Sequence, residues 1–356
     1  MSNRLMIKKS PAGVAFTHPE KVFFPANDFR KGDMVAYYLE AAPFILPHLK
    51  NRPVTLIRFP DGAKGEHFYE KNAPRFHPPW LKTFAVWRSS HEGSIDYILI
   101  NDVRSLAWCA NLAAIELHPF LHRAPAIHRP TLVAFDLDPG EGSTILSCVD
   151  VAFWIKEVLD GLGLKSFAKV SGSKGVQVYV PLNSPRATYD QTGGFARAVA
   201  ELLTERHPDR VVSNMSKRLR KDRVLVDWSQ NSEGKTTVCA YSMRAKRDEP
   251  FISAPVGWDE LRRAKKPDPL FFSPDQALSR MKKLGDLFAP VQTLRQSLPK
   301  GFAAAPALGE YARKRDFSRT AEPPPKAAPA AAGKERNFVI QKHAASHLHY
   351  DFRLEM

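Results

Sequence analysis

The sequence predicts an α/β protein whose central sheet presents acidic side chains at one end. Period-2 strand patterns alternate along the chain with amphipathic helical patterns. A buried strand is predicted over residues 131–138, where Pro139-Gly140 ends it, and a strand, glycine-rich turn and strand follow over 167–180. With 356 residues and a hydrophobic fraction of 44%, the chain can build a globular core and about two units.

The N-terminal part is predicted to be a smaller α/β unit. Its elements are a helix from Asp33 to about Leu46, a strand over 52–59, strand-like alternation over 80–100 and an amphipathic helix from Val103 to Leu117. The adjacent aromatics Phe68 and Tyr69 stand beside Lys71. They could stack on bases or pack in the core, and the pattern leaves both readings open.

The predicted catalytic part begins with the strand at 131–138. Its later elements are a helix from Ile145 to Leu159, strands over 167–170 and 176–180, a helix from Asp190 to Arg206, strands over 224–228 and 237–244, and surface helices within 267–298.

Two carboxylates lie at the end of the strand over 131–138. Because side chains alternate, Asp136 and Asp138 share one face while Val133, Phe135 and Leu137 pack on the other. Two acids released into a glycine-containing loop suit a divalent metal held by oxygen ligands.

A third carboxylate, Asp227, follows a short apolar strand much later in the chain. Two competing motifs fit the first pair less well. An EF-hand requires an oxygen ligand at its fifth position and an acid at its twelfth, where Gly140 and Ser147 stand. A phosphatase with an aspartate nucleophile usually carries Thr or Val in place of Gly140.

The glycine-rich turn Ser171–Gly175 could hold an anion with its backbone amides, two hydroxyls and Lys174. An ordinary Gly-Ser hairpin is the alternative, and the turn is not a P-loop. Combined with the three acids, a phosphate site at this turn points to two-metal phosphoryl transfer, in which a primer hydroxyl displaces pyrophosphate.

The charge balance points to a polyanion. Lys and Arg number 52 against 37 Asp and Glu, for a formal charge of +15, which favours nucleic acid over an anionic membrane, although a solvated basic surface remains the alternative. The densest basic run is Lys217–Arg223. The widely spaced Cys109, Cys148 and Cys239 predict buried thiols in a reduced, cytoplasmic protein, and no membrane partner is expected.

Three motifs together resemble a known family. Phe135-Asp136-Leu137-Asp138-Pro139, Ser171–Gly175 and Val224–Asn231 are similar to the polymerase domain of bacterial ATP-dependent DNA ligase D, in the archaeo-eukaryotic primase superfamily, over roughly residues 11–295. The resemblance implies an RRM-like catalytic sheet with flanking helices and a smaller N-terminal subdomain. It also implies a template-dependent polymerase that fills gaps at double-strand breaks during end joining with Ku and a DNA ligase. It further implies two Mn²⁺ (or Mg²⁺) ions and NTP or dNTP substrates, with ribonucleotides often preferred. The expected location is the cytoplasm, at the nucleoid.

The resemblance also assigns roles to residues. It implies metal-binding and catalytic roles for Asp136, Asp138 and Asp227, and nucleotide binding by His118, Ser171, Ser173, Lys174, Arg220 and Arg244. For DNA it implies that Lys21 and Lys31 hold the 5′-phosphate of the downstream strand and that Phe68 and Tyr69 meet the template. At Gln177 the family commonly has histidine, so a cationic role there is not expected.

Together with the change to a Pro- and Ala-rich composition, the resemblance predicts a primase-polymerase domain at 1–298, a Pro/Ala-rich linker at 299–336 and a tail at 337–356. The tail resembles the opening of the 3′-phosphoesterase domain of the same ligases, with metal ligands at His343, His349 and Asp351. Most of that domain is missing, so we expect no phosphoesterase activity. A non-catalytic module that binds and bridges DNA ends is the alternative function for the whole chain.

Overall fold

The computed structural model describes residues 14–88, 93–299, 338–344 and 348–354, and divides into two compact units, Met1–Ala304 and Ala305–Met356. The predicted linker at 299–336 lies outside the described residues apart from its first residue.

The described helices of the first unit are α1 (Lys31–Leu49), α2 (Val103–Asn111), α3 (Ile145–Gly161), α4 (Tyr189–Arg206), α5 (Trp258–Arg263), α6 (Pro274–Leu284) and α7 (Ala289–Thr293). Its described strands are β1 (Val22–Phe24), β2 (Phe29–Arg30), β3 (Pro53–Arg58), β4 (Phe68–Glu70), β5 (Thr83–Arg88), β6 (Gly93–Leu99), β7 (Ala114–Pro119), β8 (His122–Arg123), β9 (Ala126–Pro130), β10 (Leu132–Pro139), β11 (Phe167–Val170), β12 (Val176–Pro181), β13 (Val211–Val212), β14 (Val224–Asp227), β15 (Met243–Arg244), β16 (Phe251–Ile252) and β17 (Pro255–Val256).

A six-stranded sheet forms the centre of the first unit, in the order β13-β14-β10-β12-β11-β17. All neighbours are antiparallel except β13 and β14. Helix α3 packs against β10 and β12, and helix α4 packs beside it against β10 and β13. On β10, Val133, Phe135 and Leu137 are fully buried, as the alternation predicts. The acidic strand therefore lies inside the sheet, where neighbours on both sides fix its position.

A second sheet, in the order β4-β3-β6-β5 with β7 also paired to β3, forms the smaller N-terminal part. Helix α1 packs against α2, and both contribute to the same continuous core as the central sheet. The three cysteines are buried and free, as predicted. This arrangement confirms the α/β class, with a sheet-centred core and a smaller N-terminal α/β part.

The helix predicted from Val103 to Leu117 is wrong in its second half. Helix α2 ends at Asn111, Ala113 takes a left-handed φ of 64°, and the chain returns as strand β7. Every residue from Ala113 to Leu117 is buried. Where all side chains are buried, helical and strand periods cannot be distinguished, so pairing of β7 with β3 decides the outcome.

Two further expectations need correction. The strand predicted over 237–244 is confined to Met243–Arg244, because Tyr241 has a left-handed φ of 67° that interrupts the extended chain. The helices within 267–298 exist, but α6 and α7 bury Leu278, Met281 and Val291 in the core rather than lying wholly on the surface.

The second unit contains an antiparallel hairpin of β18 (Phe338–Ala344) and β19 (Leu348–Leu354). Its register places His343 opposite His349 and Asp351 opposite Gln341. None of the helices in the described part of the chain is long and apolar enough to span a bilayer.

Candidate active site

Asp136 and Asp227 lie directly opposite each other on the neighbouring strands β10 and β14. Opposed residues of an antiparallel pair have Cα atoms about 4.5–5.5 Å apart. Asp138 follows two residues later on the same face of β10, beside Leu225. The sheet therefore brings the three predicted acids together on one face.

The chain after Asp227 fixes the orientation of its carboxylate. Its Oδ1 accepts hydrogen bonds from the amide of Ser229 at 2.9 Å and from Ser229 Oγ at 2.6 Å, while Oδ2 accepts from Gln230 Nε2 at 3.0 Å. Asn231 then joins this turn to β10, because it bonds both the N–H and the C=O of Ala134 at 2.8 and 2.7 Å. The local sequence Asp-Trp-Ser-Gln-Asn thus sets both the direction of the acid and its distance from β10.

The electrostatics of the three acids are unfavourable without a cation. Burial, and next the charge of Asp138, raise the pKa of Asp136. Desolvation by the surrounding protein, and next the charge of Asp227, raise the pKa of Asp138, although part of its side chain is exposed. Among the described residues no three His, Cys, Asp or Glu side chains are already drawn together as a ligand set. Carboxylate oxygens that lie close together and repel one another fit a divalent cation, because its positive charge would offset that repulsion.

A polar row continues across the sheet from the acids. Gln177 stands opposite Asp136 on β12, and Lys169 stands opposite Gln177 on β11. The Gln177 side chain hydrogen-bonds Asp136, and its Oε1 accepts from the hydroxyl of Tyr179 at 3.1 Å. The amide nitrogen of Gln177 is therefore the group that faces the carboxylate. Because the Gln177 side chain is neutral, this contact adds no charge beside Asp136.

Lys169 is a buried cation that sequence reasoning missed. Its Nζ lies 2.5 Å from Ser253 Oγ, and burial followed by the charge of Arg244 lowers its pKa. A single lysine in an apolar strand pattern predicts an exposed side chain. The burial of Lys169 opposite Gln177 depends on how β11 and β12 pair, which the sequence pattern does not show.

The glycine turn between β11 and β12 is held by its first residue. Ser171 Oγ accepts from the amides of Ser173 at 3.2 Å and Gly175 at 3.1 Å, so these two amides serve the turn itself. A Cβ on Gly175 would lie 2.0 Å from Leu137 O, so the absence of a side chain lets the turn lie against the end of the acidic strand. Lys174 is exposed at its tip. Anion binding here remains a prediction.

Glu116 is the main residue of the site that sequence reasoning missed. It is fully buried, and Oε2 lies 2.9 Å from His118 Nε2 and 3.0 Å from Arg244 Nε. Burial alone would raise its pKa, but hydrogen bonding to His118 and the charge of Arg244 together lower the pKa of Glu116 to about 2. Arg244 Nη1 also donates to Ser171 O at 2.9 Å. The predicted nucleotide contacts His118 and Arg244 thus meet at one buried anion, and Arg244 links them to Ser171.

The remaining predicted nucleotide contact, Arg220, lies on the other side of the acids. Its charge acts on the Asp138 carboxyl, and its Nη2 donates to Met215 O at 2.7 Å. Gly140 allows this approach, because a Cβ there would lie 1.7 Å from Arg220 O. Arginines therefore flank the three acids on both sides.

The residues predicted to hold DNA form a separate group on the N-terminal part. Lys31 is buried and bonds Thr17, and burial followed by the charge of Lys21 lowers the pKa of Lys31 to about 8. Lys21 Nζ lies 2.7 Å from Asp61 Oδ1. On the edge strand β4, Phe68 is 44% and Tyr69 59% exposed, so neither packs in the core.

These features define a nucleotidyltransferase domain of the primase-polymerase class: three acids on one face of a sheet, a glycine hairpin beside them and arginines on either side. The chain belongs to the LigD primase-polymerase domain family, whose model matches residues 30–288.

Individual relatives agree with this assignment. The multifunctional non-homologous end joining protein LigD of Mycolicibacterium smegmatis is 38% identical over 344 residues, which cover 96% of this chain and 43% of that protein. The bifunctional non-homologous end joining protein LigD of Bacillus subtilis is 34% identical over 271 residues, 76% of this chain and 43% of that protein. The polymerase domain from Mycobacterium tuberculosis ligase D, solved in complex with DNA, superposes with a TM-score of 0.74 at 36% identity, covering 80% of this chain and 99% of that one. The chain thus spans less than half the length of these curated relatives.

Proposed function

We propose that this chain is a template-dependent polymerase that fills gaps and extends primer ends at DNA double-strand breaks in bacterial non-homologous end joining. The observation that carries the proposal is the opposition of Asp136 and Asp227 beside the glycine hairpin. The names of the LigD relatives and the DNA in the matching solved structure support it.

In the proposed reaction Asp136, Asp138 and Asp227 would hold two divalent ions, Mn²⁺ or Mg²⁺. Such ions would activate the primer hydroxyl and neutralise charge on the leaving pyrophosphate. The acids need no proton transfer of their own, and their repulsion in the free protein favours metal entry.

The nucleotide would be held from both sides of the acids. Arg244 and His118, oriented by Glu116, lie on the side of the glycine hairpin, with Ser171, Ser173 and Lys174 at the turn. Arg220 lies on the opposite side. Guanidinium groups suit triphosphate oxygens because they donate two parallel hydrogen bonds. Ribonucleotides as well as deoxyribonucleotides are proposed substrates.

The DNA end would be held by the N-terminal part. Lys21 and Lys31 would bind the 5′-phosphate beyond a gap, and Phe68 and Tyr69 would meet the template with their exposed rings. We propose Ku and a DNA ligase as partners, in the cytoplasm at the nucleoid.

A gapped duplex with a primer and a downstream 5′-phosphate tests the function. Extension is measured with Mn²⁺ or Mg²⁺ and with each NTP and dNTP. We expect extension by the wild type and by Asp259→Ala, a control at an exposed aspartate, and none by Asp136→Ala. If the chain binds the gapped duplex but incorporates no nucleotide, the result would instead support a module that only bridges DNA ends.

The 5′-phosphate assignment has its own test. We expect Lys21→Ala to remove the preference for 5′-phosphorylated over 5′-hydroxyl gaps. An unchanged preference would refute the role of that lysine.

A further inference from the structure

An aromatic and basic surface that the proposed reaction does not use lies along α2. Arg104, Trp108 and Asn111 lie four and three residues apart, so they share one side of the helix. All three are partly exposed. The Phe76 ring centroid lies 6.4 Å from that of Trp108, and Arg104 Cζ lies 3.9 Å from the Trp80 ring. These five residues are called the α2 surface.

Phe76 is the most exposed member of the α2 surface. Its side chain is 68% exposed, although phenylalanine is usually buried. Lys71 and Arg75, both exposed on the segment that carries Phe76, add positive charge. Exposed rings between cations suit a polyanion with flat apolar groups.

The α2 surface is connected to the predicted 5′-phosphate site through Thr17. Asn111 Oδ1 accepts from the amide of Thr17 at 3.0 Å. The carbonyl and hydroxyl oxygens of Thr17 accept from Lys31 Nζ at 2.7 and 3.2 Å. The C-terminal end of α2 therefore adjoins Lys31.

The same end of α2 adjoins the predicted template aromatics. Leu112, the residue after Asn111, accepts a hydrogen bond at its carbonyl from Arg58 Nε at 2.7 Å. Arg58 Cζ lies 5.1 Å from the centroid of the Phe68 ring. Both predicted DNA contacts thus meet at one end of α2, and its exposed side leads away from them.

We propose that the α2 surface binds single-stranded DNA that continues from the end held by Lys31 and Phe68. From Arg104 to Asn111 the helix rises about 10 Å, roughly the length of three stacked bases. Ring faces of Phe76 and Trp108 stack on bases, and Arg104 contacts the backbone. Paired bases hide their faces, so the ligand is an unpaired tail. This inference rests on the proposed DNA-end binding and extends it along the strand.

Fluorescence anisotropy with two 5′-phosphorylated duplexes tests the proposal, one with a 2-nucleotide and one with a 10-nucleotide 3′ tail. We expect the wild type to bind the longer tail more tightly. Phe76→Ala should weaken binding of the long-tailed duplex about fivefold or more, because each base stacked on a ring contributes at that level. Phe76→Trp should restore it, and Arg104→Gln should weaken it and reduce its salt dependence.

Leu284→Ala is the matched control, an apolar side chain that is 47% exposed at the end of α6. The proposal is overturned if the wild type binds the two duplexes equally tightly. It is also overturned if Phe76→Ala and Arg104→Gln both bind the long-tailed duplex as much more tightly than the short-tailed one as the wild type does. Primer extension on the gapped, primed duplex described above separates tail binding from the polymerase function. Extension without any tail effect refutes only this inference, and a tail effect that depends on Phe76 without extension refutes only the polymerase function.

Discussion

Asp136 and Asp227 face each other across the β10–β14 pair although 91 positions (227 minus 136) separate them in the chain. Like charges directly opposed on neighbouring strands destabilise a sheet. A protein keeps such a pair where function requires it, and this pair is the basis of the first prediction.

Asp136→Asn should abolish primer extension and yet stabilise the metal-free protein by about 0.5–1 kcal/mol, because it removes a repelled, partly buried charge. Because the native pKa of Asp136 is raised, its ionisation lowers stability as pH rises above the ordinary carboxyl value of about 4. The gain over wild type should therefore be larger at pH 8 than at pH 5. Thermal unfolding in EDTA measures it, and an equal or lower stability of the variant would contradict this account.

Gln177→Leu should raise the Mn²⁺ concentration needed for half-maximal extension several-fold. The amide of Gln177 lowers the pKa of Asp136 and orients it, and its loss also leaves the Tyr179 hydroxyl without this acceptor. A cost of about 1–3 kcal/mol in stability should accompany it. Gln177→His, which keeps a donor, is the matched variant and should show a smaller shift. Metal titrations of extension with equal responses for both variants would argue against a positioning role.

Glu116→Gln should raise the KM for the nucleotide about tenfold and destabilise the protein by about 3 kcal/mol, because Arg244 and His118 lose their buried anion. The native pKa of Glu116 is about 2, below the value of about 4.3 in the unfolded chain. The ionised carboxylate therefore contributes its full stabilisation above about pH 4.3, and this stabilisation is lost as the pH falls toward 2. Urea unfolding across this range should show the difference from wild type shrinking with acidity. Glu205→Gln, at an exposed position, should show neither effect.

Gly140→Ala should reduce extension at least tenfold and cost about 1–3 kcal/mol, because the new Cβ would collide with the carbonyl oxygen of Arg220 and displace the basic segment from Asp138. Gly161→Ala is the control, since a Cβ there meets nothing within 4 Å. Extension assays and thermal melts compare the two. Equal behaviour of both variants would show that the approach at Gly140 is dispensable.

Local signals predicted much of this arrangement. Alternation placed Asp136 and Asp138 on one face and Phe135 in the core, and capping residues such as Thr144 and Thr188 start α3 and α4 close to the predicted residues. Where every side chain is buried, as from Ala113 to Leu117, the period disappeared and the prediction failed.

The sequence by itself determined the strand with its two acids, the glycine turn, the basic charge and, by resemblance, the family. These features depend on short-range alternation, turn chemistry and composition, which neighbouring residues specify. Only the tertiary structure decided that Asp227 pairs with Asp136, that Glu116 joins His118 to Arg244, and that α2 adjoins both predicted DNA contacts. Such contacts depend on which strands pair and which faces are buried, and those choices minimise the free energy of the whole core rather than of any one segment.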